Sequence, residues 1–374
     1  MADDLAADAI ARDQAGKPPT DETARLREAG LPAALTPPGP GRGADWRTGC
    51  AVIREVAAAD GSVGELLARH YVHAWSGRFY ADHEHAAALE EESVRERWLW
   101  TGAVRTPSPH HDAEGPDLTL RPRTTGYVLS GHRCVDTAVA AADQIVVDAV
   151  CAATGDVLVV RIPADERGVT VEPDHDRLGQ RVAGAGRLAL DRVAVTPGQV
   201  LGRRPHDEES TAPVTGLAEP ALRLALCHVA LGVAEGALTE ARDLNRAGRA
   251  HRLPGEDPDL FLTYGELASA TQTATAVVDR ATEVMARALA AGAQLDAEAS
   301  AGVAALVATA EAVMSKAALH VTAQVLELAD APGLDRFWRN ARVLTAHRPV
   351  AQRLRSVGEH YLNGSHRAAA AVFH

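Results

Sequence analysis

Sixteen histidines give this 374-residue chain many groups able to donate or accept a proton near neutral pH. Three sit in runs that could position an imidazole: His70 and His73, one helical turn apart in ADGSVGELLARHYVH, and His347 in AHRPV. A histidine is ordinarily solvated or bonded locally, so residue type alone assigns no role. Arg246, Arg249 and Arg252 in NRAGRAHRLPG carry guanidinium groups whose paired donors match a phosphate, although a solvated basic loop has the same composition. His83 and His85 are two residues apart and diverge on a helix, so they do not make a metal site. Cys50, Cys134, Cys151 and Cys227 lack metal-binding spacing. GPGRG at Gly39 to Gly43 and GAG at Gly184 to Gly186 lack the strand-before, helix-after context of a nucleotide fingerprint and read as turns. The acidic run Glu90 to Glu92 reads as a solvated helix face.

Three units are expected to position these groups. Apolar residues recur at helical spacing through the first third, interrupted by the turn-rich TPPGPGRGADWRTG from Thr36 to Gly49, with a helix boundary at Asp60-Gly61. The middle reads as short β-rich runs, GYVLSG, QIVVDAV, DVLVVRIP, GVTVEP and RLALDRVAV, with turns at Gly131, Gly155 and Gly168. Long amphipathic helices then follow over 221–248, 259–291 and 298–329. A formal charge of −12 excludes a nucleic-acid surface, which needs a concentrated basic face. No uninterrupted apolar run reaches membrane-spanning length, and the acidic N-terminus does not resemble a signal peptide. With scattered cysteines, this composition leads us to expect a cytoplasmic protein with free thiols.

The segment FWRNARVLTAHRPVAQRLRSVGEHYLNG, Phe337 to Gly364, resembles the C-terminal signature of acyl-CoA dehydrogenases. In those enzymes an RDAR…IYEGT segment supplies the Glu that removes a proton from the acyl thioester. Laid over it without gaps, Arg339, Asn340, Ala341 and Arg342 match the start, His347 falls on the Tyr and Arg348 on the Glu. An arginine cannot act as that base. Leu222 occupies the alternative Glu position, so an ordinary acyl-CoA dehydrogenase ranks last. The pattern W-R-N-x-R, H-x-P-V and V-G-x-x-x-L-N-G instead resembles the flavin-dependent monooxygenase branch of that superfamily, which includes the dibenzothiophene monooxygenases and the amino-sugar nitrososynthases. ADGSVGELLARH, GYVLSGHRCVDTAVAAADQIVV, ALGVAEGAL and DPDLFLTYGEL extend the resemblance over nearly the whole chain. It implies an α+β, acyl-CoA dehydrogenase-like fold: an N-terminal helical domain over 1–98, a middle antiparallel β domain over 99–205 and a C-terminal four-helix bundle over 206–374.

The resemblance also implies FMN or FAD, reduced by a separate flavin reductase, a small-molecule substrate oxygenated at sulfur, nitrogen or carbon, and a homotetramer. His347, His70 and Thr137 are the implied catalytic residues, with His73 a weaker candidate. Thr137, Arg249 and Gly102 are the implied cofactor contacts: Thr137 at the flavin ring, Arg249 at the phosphate, and Gly102 through its backbone, where the first flavin loop of the branch has Asn. The chain departs from the branch in that loop and in the second, where VAGAG places Ala183 and Ala185 at hydroxyl positions. A third loop is shortened to LADAPGLD. These departures leave open a flavin-independent enzyme using pocket histidines for proton transfer, elimination or cyclisation, or a non-catalytic subunit.

Overall fold

A computed structural model describes residues 1–39, 41–104, 118–204, 212–249, 258–329, 331–346 and 350–363. The first third is helical: α1 Ala2–Ala15, α2 Thr20–Glu28, α3 Trp46–Ala59, α4 Gly61–Ala74, α5 Ser76–Tyr80 and α6 His83–Glu96. The break before α3 is shorter than its composition suggested. Asp45 caps α3 by accepting from the Thr48 N–H, so the helix starts at Trp46, inside the turn-rich run. Asp60, in extended conformation, ends α3 and caps α4 by accepting from the N–H groups of Ser62 and Val63. Glu90 is buried, not solvated: Arg78 supplies its counter-charge, while Glu92 accepts from Arg161 at 3.2 Å.

The middle third forms one eight-stranded sheet: β1 Trp100–Ala103, β2 Leu118–Arg123, β3 Gly126–Val135, β4 Gln144–Cys151, β5 Val157–Pro163, β6 Val169–Pro173, β7 Gly186–Val195 and β8 Val200–Arg204. The order is β6-β7-β3-β2-β4-β5-β8. It is mixed where an antiparallel sheet was expected. β1 runs parallel to the first half of β4, from Gln144 to Val147, and β2 continues along the same edge at Val150 and Cys151. Both strands therefore enter in one direction, whereas the remaining neighbours are antiparallel. Gly155 and Gly168 have positive φ and lie outside the strands, as expected of turns. Gly131 instead lies within β3, at φ 132° and beside a register shift, so it makes a bulge.

The last third comprises α7 Ala218–Arg249, α8 Pro258–Ala291, α9 Ala297–Leu328, α10 Asp335–Ala346 and α11 Val350–Asn363. α10 and α11 pack back on the long helices. One apolar core joins the two helical thirds, from Leu5, Ile53 and Leu66 to Leu224, Val233 and Met314. The ALGVAEG run makes that junction possible. A Cβ on Gly232 would meet Arg54 O at 2.3 Å, and one on Gly236 would meet Ala58 O at 2.2 Å, so α7 approaches α3 at backbone distance. Among the described residues, two helices are long and apolar enough to cross a membrane, but 72% and 56% of their apolar windows are buried. Packing among helices accounts for that apolarity.

Candidate functional site

α4 is buried along almost its whole length and carries both histidines of the ARHYVH run. His70 is 1% exposed, and both ring nitrogens are engaged with backbone. Nε2 lies 2.9 Å from the Pro32 carbonyl and Nδ1 3.0 Å from the Trp100 amide nitrogen. A carbonyl can only accept and an N–H can only donate, so the ring is neutral, protonated on Nε2 and accepting on Nδ1. Burial, more than any other influence, brings its pKa down to about 4. His70 thus ties the turn at Leu31–Ala33 to the start of β1 and leaves no ring nitrogen for a ligand.

His73 has the opposite bonding. It is 4% exposed, and its Nε2 is buried without a partner. Its ring packs on Gly102: a Cβ there would lie 3.0 Å from His73 Nδ1 and 2.4 Å from Val146 O. Gly102 therefore admits the imidazole against β1. Thr101, its neighbour, donates from Oγ1 to the Thr137 carbonyl at 2.5 Å. Thr137 is 1% exposed, and its own Oγ1 has no partner. A buried hydroxyl without a hydrogen bond costs about 1–3 kcal/mol, so the arrangement suits a ligand that supplies one.

The turn that carries Thr137 is held from two sides. Arg69, on α4, donates to Glu65 at 2.9 Å and pairs with Asp136 at 2.8 Å. Ala138 adopts φ 51°, and its N–H donates to Ala183 O, while the Val139 N–H donates to Gly184 O. The VAGAG loop is thus laid beside Thr137 through backbone bonds, which need no hydroxyl side chain. Ala183 is fully buried.

The W-R-N motif anchors this loop. Asn340 Oδ1 accepts from the Gln180 N–H at 2.7 Å, and a Cβ on Gly179 would meet Arg339 O at 2.2 Å. Arg339 reaches Asp335 at 2.8 Å, Leu178 O at 3.1 Å and Asp13 on α1 at 3.3 Å. Gln180 is fully buried at φ 53°, with both Nε2 and Oε1 unpartnered. Nothing in the sequence singled out this carboxamide, because its isolation is a property of the packed loop.

His347 lies outside the described residues, as does Arg252. Arg249 is the last residue of α7, and its side chain is likewise outside the description. Arg246 is on the exposed side of α7. Thr137, Gly102 and His73 are brought together, whereas His70 faces Pro32 and Trp100. Among the described residues no group of three or more His, Cys, Asp or Glu could hold a metal ion.

Residues 224–352 match the family model for the acyl-CoA dehydrogenase C-terminal domain. Dibenzothiophene monooxygenase of Rhodococcus erythropolis is 30% identical over 98% of this chain and 92% of its own. A probable FMNH2-dependent monooxygenase, SfnC, of Pseudomonas putida is 27% identical over 97% and 93%. The crystal structure of FMN-bound TdsC from Paenibacillus sp. A11-2 superposes with a TM-score of 0.89 at 30% identity, covering 98% of this chain and 96% of that one. Sequence identity of that extent over nearly the whole of both chains, together with that superposition, shows that the chain belongs to the dibenzothiophene monooxygenase family, built on the acyl-CoA dehydrogenase fold.

Proposed function

We propose that this protein is a monooxygenase that receives reduced FMN from a separate flavin reductase and transfers one oxygen atom of dioxygen to a small organic substrate, with sulfur the favoured acceptor. SfnC and TdsC support FMN over FAD, and dibenzothiophene, for which the 30% identical relative is named, is a sulfur compound. The observation that carries the reading in this chain is the buried, unpartnered Thr137 hydroxyl, flanked by the loop bearing the unpartnered Gln180 carboxamide. These groups fit a flavin ring, whose edge has both donors and acceptors. A bound reduced flavin supplies two electrons, so that one atom of dioxygen reaches the substrate and the other leaves as water.

The chain's own residues have separable tasks in this reading. Thr137 bonds the ring edge, Gln180 offsets the hydroxyls missing at Ala183 and Ala185, and Gly102 keeps β1 close. Arg249 binds the FMN phosphate at the end of α7. His347 holds or delivers a proton near the reacting oxygen. Titration with FMN, followed by its visible absorbance, tests the reading: a perturbed spectrum is expected, and a flavin spectrum identical to that of free FMN overturns it.

The protein is further proposed to work in the cytoplasm, where its four cysteines stay as free thiols, and to form a homotetramer. Apolar side chains exposed on two helices support the assembly. Phe261 and Leu262 at the start of α8 are 65% and 63% exposed, and Tyr361 and Leu362 on α11 are 86% and 81% exposed. Leu354 lies about two turns before the α11 pair, so the three share one helix face. Light scattering at micromolar concentration should give the tetramer mass, and a monomer would contradict the assembly.

A further inference from the structure

We propose that His73, not His70, is the imidazole that meets the flavin ring, presenting its Nε2 to the ring edge beside Thr137. This rests on the flavin reading above and assigns it a residue specific to this chain's packing. The two histidines share a helix, but their surroundings separate them. His70 is fully occupied by Pro32 O and the Trp100 N–H, at the base of β1. His73 stands three residues on, against Gly102, and the charges that act on it include Arg69 and Asp136, which hold the turn preceding Thr137. The bond from Thr101 Oγ1 to Thr137 O places Gly102 and Thr137 on adjoining segments, so His73 and Thr137 border the same region.

Two observations make His73 more than a packed core residue. Its Nε2 is buried with no partner, a cost that a ligand bond would remove. Gly102 has no side chain, and any Cβ there would press on the His73 ring and on Val146 O. The imidazole thus takes up side-chain space that β1 leaves empty. Burial, reinforced by Arg69, holds its pKa near 3, so the ring is neutral at working pH. A neutral imidazole can donate to a flavin carbonyl or accept from a ring N–H without bringing a charge into the site.

The test uses the full-length protein with 15N-labelled histidine and FMN as the probe. In the free protein the His70 Nε2–H should exchange slowly, because Pro32 O accepts it, and this identifies its signal. On adding FMN, with binding followed independently by flavin absorbance, the His73 Nε2 signal should shift and the His70 signal should stay. His73→Asn, which is too short to reach the Nε2 position, should weaken FMN binding about ten-fold, whereas His73→Gln, which can reach it, should stay within about three-fold of wild type. Melting curves check that both variants fold, and if they do not, the wild-type titration decides alone. If FMN binds while the His73 signal is unmoved, or the His70 signal shifts instead, the assignment falls and the flavin reading stands. If FMN leaves its own spectrum and every histidine signal unchanged, both are overturned.

Discussion

Replacing His347 by alanine should leave FMN affinity near that of the wild type while slowing substrate oxygenation by about 10²- to 10⁴-fold, the usual range for a lost general acid or base. Reduced flavin should then be consumed with release of hydrogen peroxide in place of product. The reasoning combines the H-x-P-V pattern with the anchoring of the helix that precedes it. α10 ends at Ala346, and its Asn340 and Arg339 fasten it to the Leu178–Gln180 loop, whose continuation bonds the turn at Thr137. α10, the helix that directly precedes His347 in the sequence, is therefore tied to the candidate flavin site. The ratio of product to peroxide, measured with a reductase supplying FMNH2, reads the effect. Full activity in the variant would remove His347 from the chemistry. A lower melting temperature with loss of FMN binding would make it a structural residue instead.

Acid should destabilise the protein steeply between pH 6.5 and about 4. Three fully buried imidazoles have depressed pKa values: His70 at about 4, and His73 and His228 at about 3. Burial is the leading cause in each, with Arg69 adding to it at His73 and Arg54 at His228. In the unfolded chain these groups take up protons near pH 6.5, so the unfolded state binds more protons below that pH. Their contribution to stability is fully present above pH 6.5 and is lost as pH falls toward the folded-state values. Each imidazole contributes a slope that is half of about 1.4 kcal/mol per pH unit at pH 6.5 and approaches that value below it, so three together cost about 3 kcal/mol between pH 6.5 and 5.5. That is a large share of the 5–15 kcal/mol typical of a folded domain. Glu22 and Glu311, whose pKa values burial raises, act in the opposite direction and offset part of the loss at lower pH. Urea unfolding at pH 7.5 and pH 5.5 measures the difference. Equal midpoints at the two pH values would show that these imidazoles are not buried and neutral.

The long helices were readable because their apolar spacing is sustained over many turns. The runs expected at 221–248, 259–291 and 298–329 became α7 at Ala218–Arg249, α8 at Pro258–Ala291 and α9 at Ala297–Leu328. β1, β2 and β8 were missed for a physical reason: WTGA is short, LTLRPR carries Pro and Arg, and VLGRR ends in charge. Their pairing is decided by the partner strand, which local β-propensity does not report. Gly131 was read as a turn because a glycine in a strand and a glycine in a turn look alike until register is known. At the site, Thr137 was found from its motif and remains unpartnered after folding. Spacing placed His70 and His73 on one helix but could not tell which ring the backbone would occupy. Gln180 gave no signal at all, since the burial of its carboxamide without partners is a property of the packed loop, which Asn340 anchors at the Gln180 N–H.

The central claim is that this chain binds FMN through Thr137 and its neighbours, and an absorbance titration of wild type and Thr137→Val with FMN tests it most directly. Wild-type protein should perturb the visible flavin bands with a dissociation constant of about 1–10 µM, or about −7 to −8 kcal/mol. Thr137→Val preserves shape but removes the hydroxyl, and should weaken binding about three- to ten-fold, the effect of one lost hydrogen bond. Flavin bands that stay those of free FMN up to about 1 mM, where only some −4 kcal/mol of binding would remain undetected, would contradict the claim. They would leave the buried histidines to a flavin-free chemistry.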